Sequence, residues 1–163
     1  METIVHKGIN EAWTSDNTYY ELADDFHYIT FIIDNYSRVI VGHSTSRRLT
    51  TDQTTIPALK MALNYRKHCI PAGMIFHSDG GGQYNDKEFL KPMKQYKVRN
   101  SMCEYAYENG KSERINGVIK NNYLEHRRIK TFAELAKEVD RSVSLYINDK
   151  PHKALKYITP IAY

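Results

Sequence analysis

Three carboxylates stand where an acid could do chemistry. Asp79 falls where a short apolar stretch, Met74-Ile75-Phe76-His77, gives way to Gly80-Gly81-Gly82. Functional groups of α/β sheets collect at the carboxyl ends of strands, and a glycine run lets backbone or substrate approach closely. Glu113 lies in the first turn of a helical stretch starting near Gly110, on a face shared with Lys120 seven residues on and with Arg127 a further seven. Asp16 follows Trp13, the one tryptophan, in a strand-like segment, where an acid is costly unless it sits at an edge or binds something. Three carboxylates converging on a cleft beside basic helices would suit Mg²⁺ or Mn²⁺, hard cations that take oxygen ligands and keep positions open for water and phosphate. Two such ions would activate a water or hydroxyl and stabilise the leaving oxygen of an in-line phosphoryl transfer.

Each acid also has an ordinary role open to it. Asp79 could cap a turn. Glu113 could be favoured at a helix N-terminus by the dipole, with Lys120 and Arg127 merely solvated. The chain has 19 acids, so a triplet alone decides nothing. No P-loop, GxSxG or HExxH pattern offers a competing chemistry.

The elements that must position these residues follow from periodicity. Residues 12–20 alternate loosely and are rich in Tyr and Thr, and His27–Asp34 is strongly β. A turn at Asn35-Tyr36-Ser37 leads to Val39-Ile40-Val41, so three strands form an antiparallel meander. Thr50-Thr51-Asp52-Gln53 has capping-box spacing, but Pro57 either kinks the helix that follows or moves its start to about Thr55. Met74–His77 is a short strand, Asp86–Tyr96 a helix and Val98–Met102 another short strand. Ile115, Val118, Ile119 and Asn122 form one helical stripe. Thr131-Phe132-Ala133-Glu134 opens a helix with an apolar face running from Phe132 to Ile147. Hairpins followed by βα crossovers predict an α/β fold, a mixed sheet covered by helices. Gly80–Asn85 and Glu104–Lys111, poor in apolar anchors, are expected to form the cleft rim and to open easily.

A length of 163 residues predicts one domain with a sizeable core. Apolar residues at 41% and charged residues at 26% exclude disordered and fibrous classes. The longest apolar run ends at Asp34, far short of a span, and the N-terminus has no signal-peptide pattern. Cys69 and Cys103 form no metal-ligand pair and are expected to be buried, reduced thiols of a cytosolic protein. Net charge of +4 discriminates little, but its placement does more. Six Lys/Arg against two acids between Lys111 and Lys130, and five against one between Lys87 and Arg99, suit a polyanionic partner.

These residues resemble a family. WTSDNTYY (13–20), FIIDNYSRVIVGH (31–43), HSDGGGQY (77–84), ENGKSERINGVIK (108–120) and YINDKPHKALKYITP (146–160) are similar, in order and over nearly the whole chain, to the catalytic core of the DDE transposases of bacterial insertion sequences, relatives of retroviral integrase. The resemblance implies a ribonuclease H-like fold: a mixed five-stranded sheet, three antiparallel strands then two parallel, flanked by helices. It puts the first catalytic Asp on Asp16, the second on Asp79 and the Glu on Glu113, with Asp16 on the first strand and Asp79 just after the fourth. All three would be catalytic and metal-binding, holding Mg²⁺ or Mn²⁺, two ions when DNA is bound. Lys120, Arg114, Asn109 and Arg127 would contact DNA. Two departures stand out. The family's Asp-Asn-Ala reads Glu108-Asn109-Gly110, and the 33 residues between Asp79 and Glu113 (113 − 79 − 1) are slightly fewer than usual, as a shortened loop would give.

The resemblance further implies DNA partners (element ends and target), a homo-oligomer in the active complex, no membrane, and action at the nucleoid in a bacterial cytoplasm. Residues 1–163 are expected to be a single catalytic core without the N-terminal DNA-binding region usual in the family. Strand cleavage and 3′-end transfer is the leading expectation. A nuclease without strand transfer and a non-catalytic DNA-binding or assembly module are the alternatives.

Overall fold

The computed structural model describes residues 6–102 and 110–163. β1 (Ala12–Leu22), β2 (Asp25–Asp34) and β3 (Ile40–Ser46) form the antiparallel meander, with Asp16 opposite Phe31 and Phe31 opposite His43. β4 (Ile75–Ser78) pairs in parallel with β1, and β5 (Arg99–Met102) in parallel with β4. Among the described residues the sheet has five strands in the order β3-β2-β1-β4-β5, the mixed sheet that the sequence predicts.

Both faces of this sheet are covered, which is why β2 reads as an unbroken apolar run rather than an alternation. Successive side chains of β2 go to opposite faces. Ile32 joins Trp13, Phe76 and Tyr84 against α1 (Thr55–Arg66) and α2 (Lys87–Gln95). Ile29, Phe31 and Ile33 go the other way, against α3 (Gly110–Ile119) and α4 (Phe132–Asn148). α1 crosses β3 at Gly42, where a Cβ would stand 2.2 Å from the Ala58 carbonyl oxygen and 2.9 Å from the Ala62 Cβ.

The ends of the helices show where local sequence decides and where it does not. Thr131 caps α4: its Oγ1 accepts from the Glu134 N–H at 3.2 Å, while Glu134 Oε2 accepts from the Lys130 N–H at 2.7 Å. The box at Thr50 forms no such cap. Residues 51–54 make turns, Thr54 Oγ1 donates to the Thr50 carbonyl at 2.7 Å, and α1 starts at Thr55. Pro57 then sits in the first turn, where its missing N–H costs nothing.

The stripe expected on α3 also changes. Ser112, Ile115, Asn116 and Ile119 are buried, Val118 is half-buried and Asn122 is exposed. The α-helical period stops at Ile119 and the backbone widens into a π turn over Lys120–Leu124, closed by the Glu125 N–H donating to the Lys120 carbonyl at 2.9 Å. That shift of phase puts Leu124 into the core in place of Asn122. Cys69 is exposed, contrary to expectation, because it lies in the turn after α1 rather than on a packed face; Cys103 lies outside the described residues.

Candidate active site

β4 pairs with β1 only over Ala12–Thr14, so β1 runs on from Ser15 beside the end of β4. The register Thr14↔His77, continued two residues, brings Asp16 level with Asp79, the residue after β4. Trp13 and Phe76 face α1 and α2, so Asp16, three residues beyond Trp13, points to the face that α3 covers. The α3 side chain that meets it is Asn116, whose Nδ2 donates to Asp16 Oδ2 at 3.1 Å. Glu113 stands one turn earlier on the same helix, exposed in its first turn.

The three acids share an electrostatic neighbourhood. Burial first, then the charge of Asp79 and more weakly that of Glu113, push the Asp16 carboxyl up to about 6, against the opposing hydrogen bond from the Asn17 N–H. Asp79 is fixed locally: its Oδ1 accepts from the Gly81 N–H at 2.9 Å. Gly80 makes the turn at φ 80°, and a Cβ on Gly81 would sit 2.7 Å from Gln83 Oε1 and 3.2 Å from Asp79 Oδ1. None of the three acids forms an ion pair with a described residue. The chemistry of this donor set suits a divalent cation: hard carboxylate oxygens with no cationic side chain paired to them among the described residues. Among the described residues no three His, Cys, Asp or Glu side chains are close enough together to enclose one ion.

The expected DNA contacts are placed unequally. Lys120 is the first residue of the π turn, its Nζ 4.6 Å from the centre of the Tyr19 ring, and Tyr19 is 56% exposed on β1 three residues past Asp16. Arg114 is exposed on α3. Arg127 does not lie on the line through Glu113 and Lys120, because that line needs an unbroken α-helix. Its Nε and Nη2 instead engage the Glu138 carboxylate at 3.1 and 3.2 Å. Asn109 lies outside the described residues, as does most of the expected rim at Glu104–Lys111. The other rim segment is not free of anchors: Tyr84 is 0% exposed and packs against Phe76 and Phe89.

Asn116 escaped the sequence reading. It is 6% exposed, and its Oδ1 is buried without a partner among the described residues. The available signal was a polar residue between Ile115 and Ile119 on the buried side of the helix, three positions after Glu113.

A family model described as integrase core domain matches residues 6–107, and a second of the same description matches residues 95–160. This chain belongs to the integrase core domain family. Over 99% of its length the integrase core is 30% identical to the insertion element IS600 uncharacterized 31 kDa protein of Shigella sonnei, of which it covers 60%. Over 58% of its length it is 38% identical to the transposase InsF for insertion sequence IS3A of Escherichia coli K12, of which that match covers 32%. The chain thus spans 60% or less of these relatives.

Solved structures agree on the fold. The HTLV-2 integrase catalytic core domain in complex with magnesium superposes with a TM-score of 0.73 at 20% identity, covering 94% of this chain and 95% of that one. The BIV integrase catalytic core gives 0.67 at 13%, covering 94% and 92%. The integrase core therefore has the ribonuclease H-like architecture that the resemblance implies.

Proposed function

We propose that residues 1–163 are the catalytic core of a DNA transposase, cutting a DNA strand and joining its 3′ end to a target by in-line phosphoryl transfer. The observation that supports this is the placement of Asp16 on β1 level with Asp79 after β4, with Asn116 of the helix that bears Glu113 bonded to Asp16. Water attacks a phosphodiester, one P–O bond forms as another breaks, and a 3′ hydroxyl is released. That hydroxyl attacks a phosphorus in target DNA with the same exchange of bonds.

Asp16, Asp79 and Glu113 would hold Mg²⁺ or Mn²⁺, two ions with DNA bound, and the metal when bound favours the nucleophilic alkoxide or hydroxide and stabilises the leaving oxygen. The chain's other groups orient. Asn116 fixes the Asp16 carboxylate, the Gly81 N–H fixes Asp79, and Lys120 and Arg114 reach DNA phosphates. Names of relatives support the partner and the metal: a transposase InsF, and an HTLV-2 core domain solved with magnesium in dimeric and trimeric forms. We accordingly propose a homo-oligomer acting on element ends and target at the bacterial nucleoid. No described helix is long and apolar enough to cross a membrane.

A strand-transfer assay with Mg²⁺, using the ends of the encoding element, tests this. Asp79→Asn should abolish cleavage and joining while circular dichroism stays unchanged. Near-normal Mg²⁺-dependent activity in that variant would remove Asp79 from the site.

A further inference from the structure

Tyr84 is a phenol inside an apolar cluster. Its ring packs at 6.1 Å from Phe76 and 5.5 Å from Phe89, contacts that a phenylalanine would make equally well. Burying the hydroxyl is costly unless it is bonded. Its oxygen lies 2.9 Å from Ser15 Oγ, and Ser15 Oγ donates to the Phe31 carbonyl at 3.0 Å. The serine hydroxyl has one proton, spent on Phe31, so Tyr84 donates and Ser15 accepts. Ser15 is the residue before Asp16, and Phe31 is the residue across the ladder from Asp16.

The other end of the connection is Asp79. Its carboxylate accepts from the Gly81 N–H, and the Gly81 carbonyl accepts from the Tyr84 N–H at 2.9 Å. Hydrogen bonds therefore run from the second acid to the neighbours of the first. Two more hold the loop from outside: Thr55 Oγ1 donates to the Gln83 carbonyl at 3.2 Å and Asn100 Nδ2 to the Tyr84 carbonyl at 3.3 Å.

We propose that Tyr84 is a positioning residue: its hydroxyl, donated to Ser15, ties the glycine loop to β1 and so sets the separation of Asp79 from Asp16. The tether lies on the α1/α2 face of the sheet, opposite the face on which Asn116 meets Asp16. The inference rests on Asp16 and Asp79 sharing a divalent cation.

Mn²⁺ binding to the DNA-free protein, followed by the electron paramagnetic resonance of free Mn²⁺, separates the two claims. Tyr84→Phe should bind Mn²⁺ about tenfold more weakly, the low end of what loss of an outer partner costs. Ser15→Ala, which also breaks the Phe31 bond, should be at least as weak, and the double variant should be no weaker than Ser15→Ala, because the Tyr84–Ser15 link is already broken there. Phe89→Leu, which loosens the same cluster but keeps the hydroxyl, should change Mn²⁺ affinity by less than about twofold while lowering the melting temperature at least as much. Wild-type affinity in Tyr84→Phe, with binding lost in Asp16→Asn, would overturn the tether and leave the metal site standing. Equal weakening in Phe89→Leu and Tyr84→Phe would also overturn it, since packing alone would then account for both. Unchanged binding in Asp16→Asn would instead remove the shared site, and the tether with it.

Discussion

At the scale of single residues, the Asn116 amide has two ends with different fates. The Nδ2 end donates to Asp16, and the Oδ1 end is buried with no described partner. A carboxylate can only accept, so the NH₂ group must face it and the carbonyl is the end left over. Asn116→Ala removes a satisfied donor together with an unsatisfied acceptor. The two losses oppose each other in stability, so we expect the unfolding free energy to change by about 1 kcal/mol or less. Orientation of Asp16 has no such compensation. Mn²⁺ affinity and Mg²⁺-dependent strand transfer should both fall about 10- to 100-fold. Denaturant unfolding and Mn²⁺ titration of one preparation check both halves. A variant that unfolds readily yet binds Mn²⁺ normally would make Asn116 a packing residue. The three acids stand out in the sequence because each lies inside a motif that carries the resemblance, WTSDNTYY, HSDGGGQY and ENGKSERINGVIK. Asn116 does not, because a buried amide on a helix has no pattern of its own until the strand beneath it is known.

At the scale of elements, the contact of α1 with β3 depends on the absence of a side chain. Gly42 lies under Ala58 and Ala62, and the nearest obstacle to a Cβ is a backbone carbonyl at 2.2 Å, which no rotamer change relieves. Gly42→Ala should force α1 away from the sheet and destabilise by about 1–3 kcal/mol, as overpacking does. In a domain of this size that lowers the melting temperature by about 2–4 °C per kcal/mol. An unchanged melting temperature would mean that α1 slides without cost. Sequence reports such elements in proportion to how local their causes are. The β2 run and the Thr131 cap depend on adjacent residues, and both are found as expected. The start of α1 at Thr55 is one of the two outcomes that Pro57 allows, again a local cause, whereas the end of α3 depends on what it packs against: the π turn at Lys120 lets Leu124 reach the core. That packing partner is not adjacent in sequence.

At the scale of the whole molecule, the two basic segments belong to opposite faces of the sheet. Lys87, Lys91 and Lys94 are exposed on α2, which packs with α1, whereas Arg114 and Lys120 belong to the side of α3 and α4. On the proposed function, a DNA strand reaching Asp16, Asp79 and Glu113 would run along α3. From Glu113 to Lys120 is about 10 Å along the axis at 1.5 Å per residue, a nucleotide or two of strand. Lys120 carries a mobile point charge suited to a phosphate. Its present neighbour is the Tyr19 ring, an exposed contact of about 0.5–1 kcal/mol that a phosphate can outbid. Arg127 differs: its guanidinium is already engaged in both directions by Glu138. Lys120→Ala should therefore weaken DNA binding about equally for all sequences and reduce the slope of log K against log salt by about 1, the loss of one phosphate contact. Arg127→Ala should leave the slope unchanged. Titrations of labelled duplex at several salt concentrations measure both. The opposite pattern, with Arg127 changing the slope and Lys120 not, would mean that the Arg127–Glu138 pair opens on binding and that DNA follows the end of α4 rather than α3. A slope altered by neither variant, but by Lys91→Gln together with Lys94→Gln, would move the DNA to the α2 face, away from the helix that bears Glu113.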